Sequence, residues 1–177
     1  MIRLAAHDPG WAGAAAAEAA RWLEAVPGLI AVHHIGSTAV PGLPAKPILD
    51  LLPVFADAAA MEGARGAAEV MGYEWMGAFG LPGRRYCRRD DPATGRRLVH
   101  AHAYAASDPG VARHLAFRDL LRADAGTRDA YAAVKRTCAD RHGDDPAAYG
   151  ACKSAWIDAA EARAVAVCDD GGKTALP

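Results

Sequence analysis

Apolar positions along the chain follow first a mixture of periods and then a single one. Trp11, Ala15, Ala19, Trp22 and Val26 recur at steps of three and four, which is one face of an amphipathic helix. Asp8-Pro9 gives it a cap and a first-turn proline, and Pro27-Gly28 ends it. Leu29 to Ile35 is apolar and β-branched enough for a buried strand, whereas Gly36 to Pro47 is too broken by proline and glycine for helix or strand. Ile48 to Phe55 is again an apolar strand. Its Pro53 has no N–H for a ladder, so pairing weakens there or the strand lies at an edge. Ala56 to Met71 reads as a helix stopped by Gly72. Tyr73 to Met76 and Arg84 to Arg89 are short strands. The turn chemistry of Asp90 to Gly95 joins the second of them to a strand over Arg97 to Tyr104, making a hairpin.

From Asp108 onward only the helical period remains. Asp108-Pro109 opens a helix to about Ala123, Thr127 caps a second to about His142, and Asp145-Pro146 opens a third to about Val167. The pattern predicts an α/β (α+β) fold with a mixed sheet flanked by helices. Residues 1–106 form the α/β core, 107–168 a helical part packed on it, and 169–177 a polar, glycine-containing tail that frays.

Composition narrows the ligand rather than the fold. Hydrophobic residues make up 52% of the 177, enough for a core, but aromatics only 7%, so the core is built mainly of small aliphatic side chains. The net charge of -1 gives no global attraction to nucleic acid or to acidic membranes, so an anionic ligand needs a local cluster of cations. No apolar run approaches the ~20 residues of a membrane span, and Met1 to Leu4 has no secretory apolar segment. Cys87, Cys138, Cys152 and Cys168 show no CxxC spacing; the simplest reading is a reduced, cytoplasmic setting with the cysteines as small buried hydrophobes.

The chemistry concentrates after the first strand. Gly36-Ser37 directly after a buried strand presents a backbone N–H and a hydroxyl to a phosphate, with Thr38 beside them. Lys46 adds a positive charge. Asp50 then sits among apolar neighbours, where a carboxylate must be hydrogen-bonded, paired or bound to metal. His100 and His102 lie two apart on one strand and point to one side. With an aspartate they make a workable divalent site, or an acid and base; partly exposed strand histidines are the other reading. Tyr131 and Lys135 share a helix face, as do Tyr149 and Lys153, and Arg118 lies on the helix before them. These residues either close a phosphate pocket or form core and solvated faces. Arg84, Arg85, Arg88, Arg89, Arg96 and Arg97 make a basic hairpin, which Asp90 and Asp91 turn away from the role of a nucleic-acid groove.

The stretch HIGSTAVPGLPAKPILD, His34 to Asp50, resembles the signature of the GrpB-like family, and the resemblance runs over roughly residues 5 to 165. A domain of this kind also occurs fused to some dephospho-coenzyme A kinases. The family is similar in fold to the polymerase-beta-type nucleotidyltransferases. That resemblance implies Gly36 and Ser37 as a phosphate turn and Asp50 as the first of two acids on alternate strand positions that bind a divalent cation, Mg²⁺ or Mn²⁺ first and Zn²⁺ next. Leu52 stands at the second acid position, so His100 and His102 are the replacements expected to complete the site as catalytic residues and metal ligands. Gly36, Ser37, Thr38, Lys46, Arg118, Tyr131, Lys135 and Lys153 are the residues expected on the substrate's phosphates. The reaction expected is metal-assisted nucleotidyl or phosphoryl transfer to a small molecule. A non-catalytic nucleotide-binding module, and a different chemistry run by His100 or His102, are the alternatives.

Overall fold

The structure, a computed structural model, describes residues 2–171. Its element order is α1 (Gly10–Ala25), β1 (Leu29–Ile35), a 3₁₀ turn (Ser37–Ala39), β2 (Leu49–Phe55), α2 (Ala58–Gly63), α3 (Arg65–Val70), β3 (Glu74–Trp75), β4 (Arg85–Asp90), β5 (Arg97–Ala105), α4 (Pro109–Ala123), α5 (Ala125–His142) and α6 (Pro146–Gly171). The five strands form one sheet in the order β1-β2-β5-β4-β3, in which only β2 and β5 run parallel. Tail residues 172–177 lie outside the described residues, and the side chain of Cys168 lies outside the described side chains.

Strand alternation sorts the side chains onto two faces. Leu51 and Phe55 of β2 and Val99, Ala101 and Ala103 of β5 pack with Trp22, Val26, Met61, Ala64 and Tyr73 beneath α1, α2 and α3. The opposite parity sends Leu52, Val54 and Tyr104 under α4, where Val111 and Leu115 cover them together with Ile35. A third apolar cluster joins Val40 and Leu43 of the loop after β1 to Leu121 of α4, Tyr131 of α5 and Trp156 of α6. The three C-terminal helices are thus fixed to the loop that carries the site, and Arg113 ties α4 to Glu161 of α6 at 2.7 Å.

Of the two expectations for Pro53, the weakened pairing holds and the edge position does not, while three other local expectations change. Pro53 lies in an interior strand. Its partner on β1 is Val32, while the parallel ladder to β5 lapses between Leu51 and Val54, so the missing N–H falls where that ladder is interrupted. The helix expected over Ala56 to Met71 is broken at Ala64 into α2 and α3. Asp124, not Thr127, caps α5: its carboxylate accepts from the Gly126 N–H, and the Thr127 hydroxyl donates to the same side chain. Cys138 and Cys152 are not reduced hydrophobes but a disulfide joining α5 to α6; Cys87 is buried and free, as expected. The pair is 14 residues apart on two helices, a contact that no local spacing announces. Among the described residues no helix is long and apolar enough to cross a membrane.

Candidate functional site

The antiparallel register of β1 and β2 sets Ile35 opposite Asp50, which brings the following glycine over the carboxylate. Gly36 has φ +68, and a Cβ there would stand 2.3 Å from Asp50 Oδ2, so both the backbone angle and the space demand glycine. Ser37 and Thr38 follow in the 3₁₀ turn. The Thr38 hydroxyl meets His34 Nε2 at 2.9 Å, and burial lowers the His34 pKa to about 4, so that ring is neutral and holds the turn.

The parallel register of β2 and β5 places Asp50 beside His100. His100 Nδ1 lies 3.3 Å from Asp50 Oδ1, and His102 Nε2 lies 3.6 Å from the same oxygen. Burial acts to raise the Asp50 pKa, but hydrogen bonding and charge from the two imidazoles outweigh it and hold the group below the usual carboxylate range. The far nitrogen of His102 is buried without a partner, and its ring lies 5.5 Å from that of His114. Leu52, on the same side of β2 as Asp50, is fully buried in the apolar cluster under α4. Packing, not a ligand, occupies the position of a second acid.

Helices α5 and α6 close the other side. A cavity of about 200 Å³ is lined by Gly36, Ser37, Thr38, Lys46, Asp50, His100, Tyr131, Lys135, Tyr149 and Lys153, with Ala45, Ile48 and Phe117. Both tyrosine–lysine pairs therefore face one space. Lys153 lies over the Tyr149 ring at 4.2 Å with Lys46 at 5.6 Å, and Lys135 lies 5.4 Å from the centre of the Tyr131 ring. Lys135 is only 2% exposed; its ammonium donates to the Pro44 carbonyl. Among the described residues none of these three lysines has a carboxylate partner in an ion pair. Burial, then repulsion from the neighbouring lysines, lowers Lys135 to about 7 and Lys153 to about 8. The three lysines therefore share one space in which Asp50 is the only carboxylate.

Of the residues the sequence put forward for the phosphate and metal site, ten line this cavity, and His102 and Arg118 do not. His102 reaches the same Asp50 oxygen as His100 but does not line the cavity. Arg118 is taken up by Asp119 at 2.8 Å and by the His34 carbonyl at 3.2 Å, so in this structure it braces the turn. Arg122, which sequence reasoning passed over, does the same through the Ala39 carbonyl at 2.9 Å. Phe117 and Trp156 were also missed; Trp156 stacks on Tyr131 at 4.8 Å and 9°. Their only signal is helical periodicity, which reads as core. The basic hairpin dissolves into separate contacts: Arg84 on the Ala78 and Phe79 carbonyls, Arg85 with Glu62, Arg88 with Glu74, Arg89 with Glu18 and Arg97 with Asp90.

The expected metal finds no ready cage. Among the described residues no group of three or more His, Cys, Asp or Glu is arranged to hold a cation. The imidazole nitrogens nearest Asp50 are directed to its carboxylate.

The comparisons with known proteins agree with this frame. The chain is 39% identical over 163 residues to the UPF0157 protein SCO7215 of Streptomyces coelicolor, covering 92% of this chain and 84% of that one. It is 38% identical over 138 residues to the UPF0157 protein YqkA of Bacillus subtilis, covering 78% of this chain but only 39% of that longer protein. A dephospho-CoA kinase of Mycolicibacterium paratuberculosis is 31% identical over a match covering 97% of this chain and 48% of the kinase. Among solved structures, the conserved protein GrpB from Enterococcus faecalis superposes with TM-score 0.84 at 34% identity, covering 92% of this chain and 97% of that one. Cid1, solved with the UTP analog UMPNPP, shares the nucleotidyltransferase-like fold with TM-score 0.52 at 12% identity, covering 84% of this chain and 48% of Cid1. The family model described as GrpB protein matches residues 1–163, which takes in the glycine turn, both histidines and both tyrosine–lysine pairs, and the chain belongs to that family.

Proposed function

We propose that the cavity binds the phosphate groups of a small molecule and serves transfer of a nucleotidyl or phosphoryl group to a second small molecule. The observation that carries this reading is the convergence of Lys46, Lys135 and Lys153 on one space that contains a single carboxylate. Fixed ammonium groups in a partly desolvated pocket stabilise charge on transferring phosphoryl oxygens far better than exposed ones. The cavity, at about 200 Å³, is smaller than the ~300 Å³ at the low end of whole-ligand pockets, so it takes the phosphate end and leaves the rest of the molecule at the mouth.

The hydrogen bond to Asp50 favours the His100 tautomer with its proton on Nδ1, leaving Nε2 as the base. In that state His100 takes a proton from the acceptor hydroxyl as its oxygen bonds to the transferred phosphorus, the remaining phosphate of the donor leaves with the broken P–O bond's electrons, and Asp50 steadies the resulting imidazolium. Cid1, with a UTP analog in its own structure, supports a nucleotide as the first ligand to try. A divalent cation belongs to the proposal as a guest of the phosphates with Asp50 as its protein ligand, since Mg²⁺ is commonly held by one or two carboxylates plus substrate phosphates. The second reading, phosphate binding without turnover, is favoured by Leu52, which removes the second acid from the sheet.

Thermal melting of the full chain with inorganic tripolyphosphate and with each nucleoside triphosphate, with and without Mg²⁺ or Mn²⁺, tests the proposal. We expect a rise in midpoint that is lost in Lys135→Met. No rise with any of them sinks it. Turnover of the stabilising nucleotide that persists in His100→Gln removes the assigned base, and no turnover at all leaves the binding reading in its place.

A further inference from the structure

We propose that Phe79 is a platform on which a planar ring of the ligand stacks, so that the ligand class is a phosphate-bearing heteroaromatic compound. This rests on the reading of the cavity as a phosphate site.

Phe79 is the only non-glycine residue with positive φ among the described residues, at φ 46. A bulky side chain disfavours that conformation, and where a structure enforces it the strain clusters at functional places. Its neighbours Gly77 and Gly80 adopt the same side of φ without cost. The enforcing group is Arg84, only 8% exposed, whose Nη2 donates to the Phe79 carbonyl at 2.6 Å and to the Ala78 carbonyl at 3.2 Å. This buried cation has no carboxylate partner among the described residues, and its guanidinium lies over the Tyr86 ring at 5.3 Å. The loop between β3 and β4 is therefore clamped from inside.

The clamp presents an aromatic surface. The Phe79 residue is 57% exposed, and its ring stacks on Tyr86 at 5.1 Å and 19°. Tyr86 in turn lies 5.6 Å from His100 and 5.3 Å from His102. Two ring-to-ring steps thus lead from an open phenyl face to the imidazole that lines the phosphate cavity. Leu81, two residues on in the same loop, is 43% exposed. A residue needed only to cover Tyr86 would not require both the strained backbone and an outer face left to solvent. A molecule with phosphates among the lysines and a planar ring one spacer away, by contrast, would engage both features. Stacking of a base on an aromatic side chain is sequence-tolerant, because every heteroaromatic ring offers a π-face.

Calorimetric titration of the full chain with ATP and with inorganic tripolyphosphate, in wild type and in Phe79 variants, tests this. Phe79→Ala should weaken ATP about 5- to 100-fold and leave tripolyphosphate within about twofold, from the usual worth of one stacked base. Phe79→Trp should retain ATP affinity. Phe79→Gly, which suits the left-handed backbone, should weaken ATP as alanine does without lowering the melting midpoint. If Phe79→Ala leaves ATP unchanged, or weakens both ligands alike, the platform is wrong while the phosphate cavity stands. If wild type binds no tripolyphosphate, the phosphate reading falls and takes the platform with it.

Discussion

Two clusters of buried charge lie on opposite faces of the same sheet, and they are resolved in opposite ways. Under α1, Glu18 is only 5% exposed, yet it accepts from Tyr73 at 2.6 Å, from Arg21 at 2.8 Å and from Arg89 at 2.8 Å. Burial acts to raise its pKa, and these partners together bring it below the ordinary value. On the other face Lys135 is as deeply buried but meets one carbonyl and two further lysines, with the Asp50 carboxylate as the one negative charge acting on it, outside any ion pair. The first cluster is complete within the chain and serves the fold. The second has no ion-pair partner within the described residues, which is the feature the proposed phosphate ligand would answer.

The largest effect expected follows from breaking the complete cluster. Glu18→Ala leaves Arg89 and the Tyr73 hydroxyl facing an apolar interior and should cost about 3–5 kcal/mol in urea unfolding. Lys135→Met should leave stability unchanged or raise it, because it removes a buried unpaired charge for a side chain of similar volume, while tripolyphosphate affinity drops at least ~10-fold. Equal destabilisation by the two variants would collapse the comparison.

Next in size is the disulfide. Cys138 lies one turn from Lys135 on α5, and Cys152 adjoins Lys153 on α6, so the bridge fastens together the two helices that supply the lysines. Cys138→Ser with Cys152→Ser should lower stability by about 3 kcal/mol, the usual worth of closing a loop of this length, and should weaken tripolyphosphate as well. Unchanged anion affinity after that loss would show that the helices hold their places without it.

The smallest effect is in pH. Lys135 at about 7 and Lys153 at about 8 lie below the ordinary lysine value of 10.5, so between these limits the unfolded chain binds more protons. Stability without ligand should therefore rise as pH is raised from 7 toward 10, while anion affinity falls as the lysines discharge. His34 at about 4 and His114 at about 3 lie below the ordinary 6.5, so stability should also fall as pH drops from 6.5 toward 4. Lys135→Met should flatten the upper limb and leave the lower one; chemical unfolding across pH reads both.

The legible parts of the molecule were those written locally. Alternation along β2 and β5 put Asp50 and the two histidines on single faces, and a spacing of four put each tyrosine with its lysine, before any contact was known. Asp108-Pro109 and Asp145-Pro146 opened their helices where expected. The failures were of another kind. Pro53 announced weakened pairing or an edge, and the letters alone could not choose between them; the lapse in the β5 ladder chose the first. The contact of Arg118 with the His34 carbonyl, 84 positions away, was likewise not legible. Phe79 gave no signal at all, since neither its backbone angle nor the clamp from Arg84 is a property of the letters around it.

The sequence by itself determined most of the elements, their faces and the candidate site's polar groups, because periodicity, caps and turn chemistry act over a few residues. Only the tertiary structure decided which charges are paired and which are left open. The disulfide and the cavity depend on where helices α5 and α6 sit against the loop after β1, and that placement is set by long-range burial of Val40, Leu43, Leu121, Tyr131 and Trp156 rather than by any local pattern.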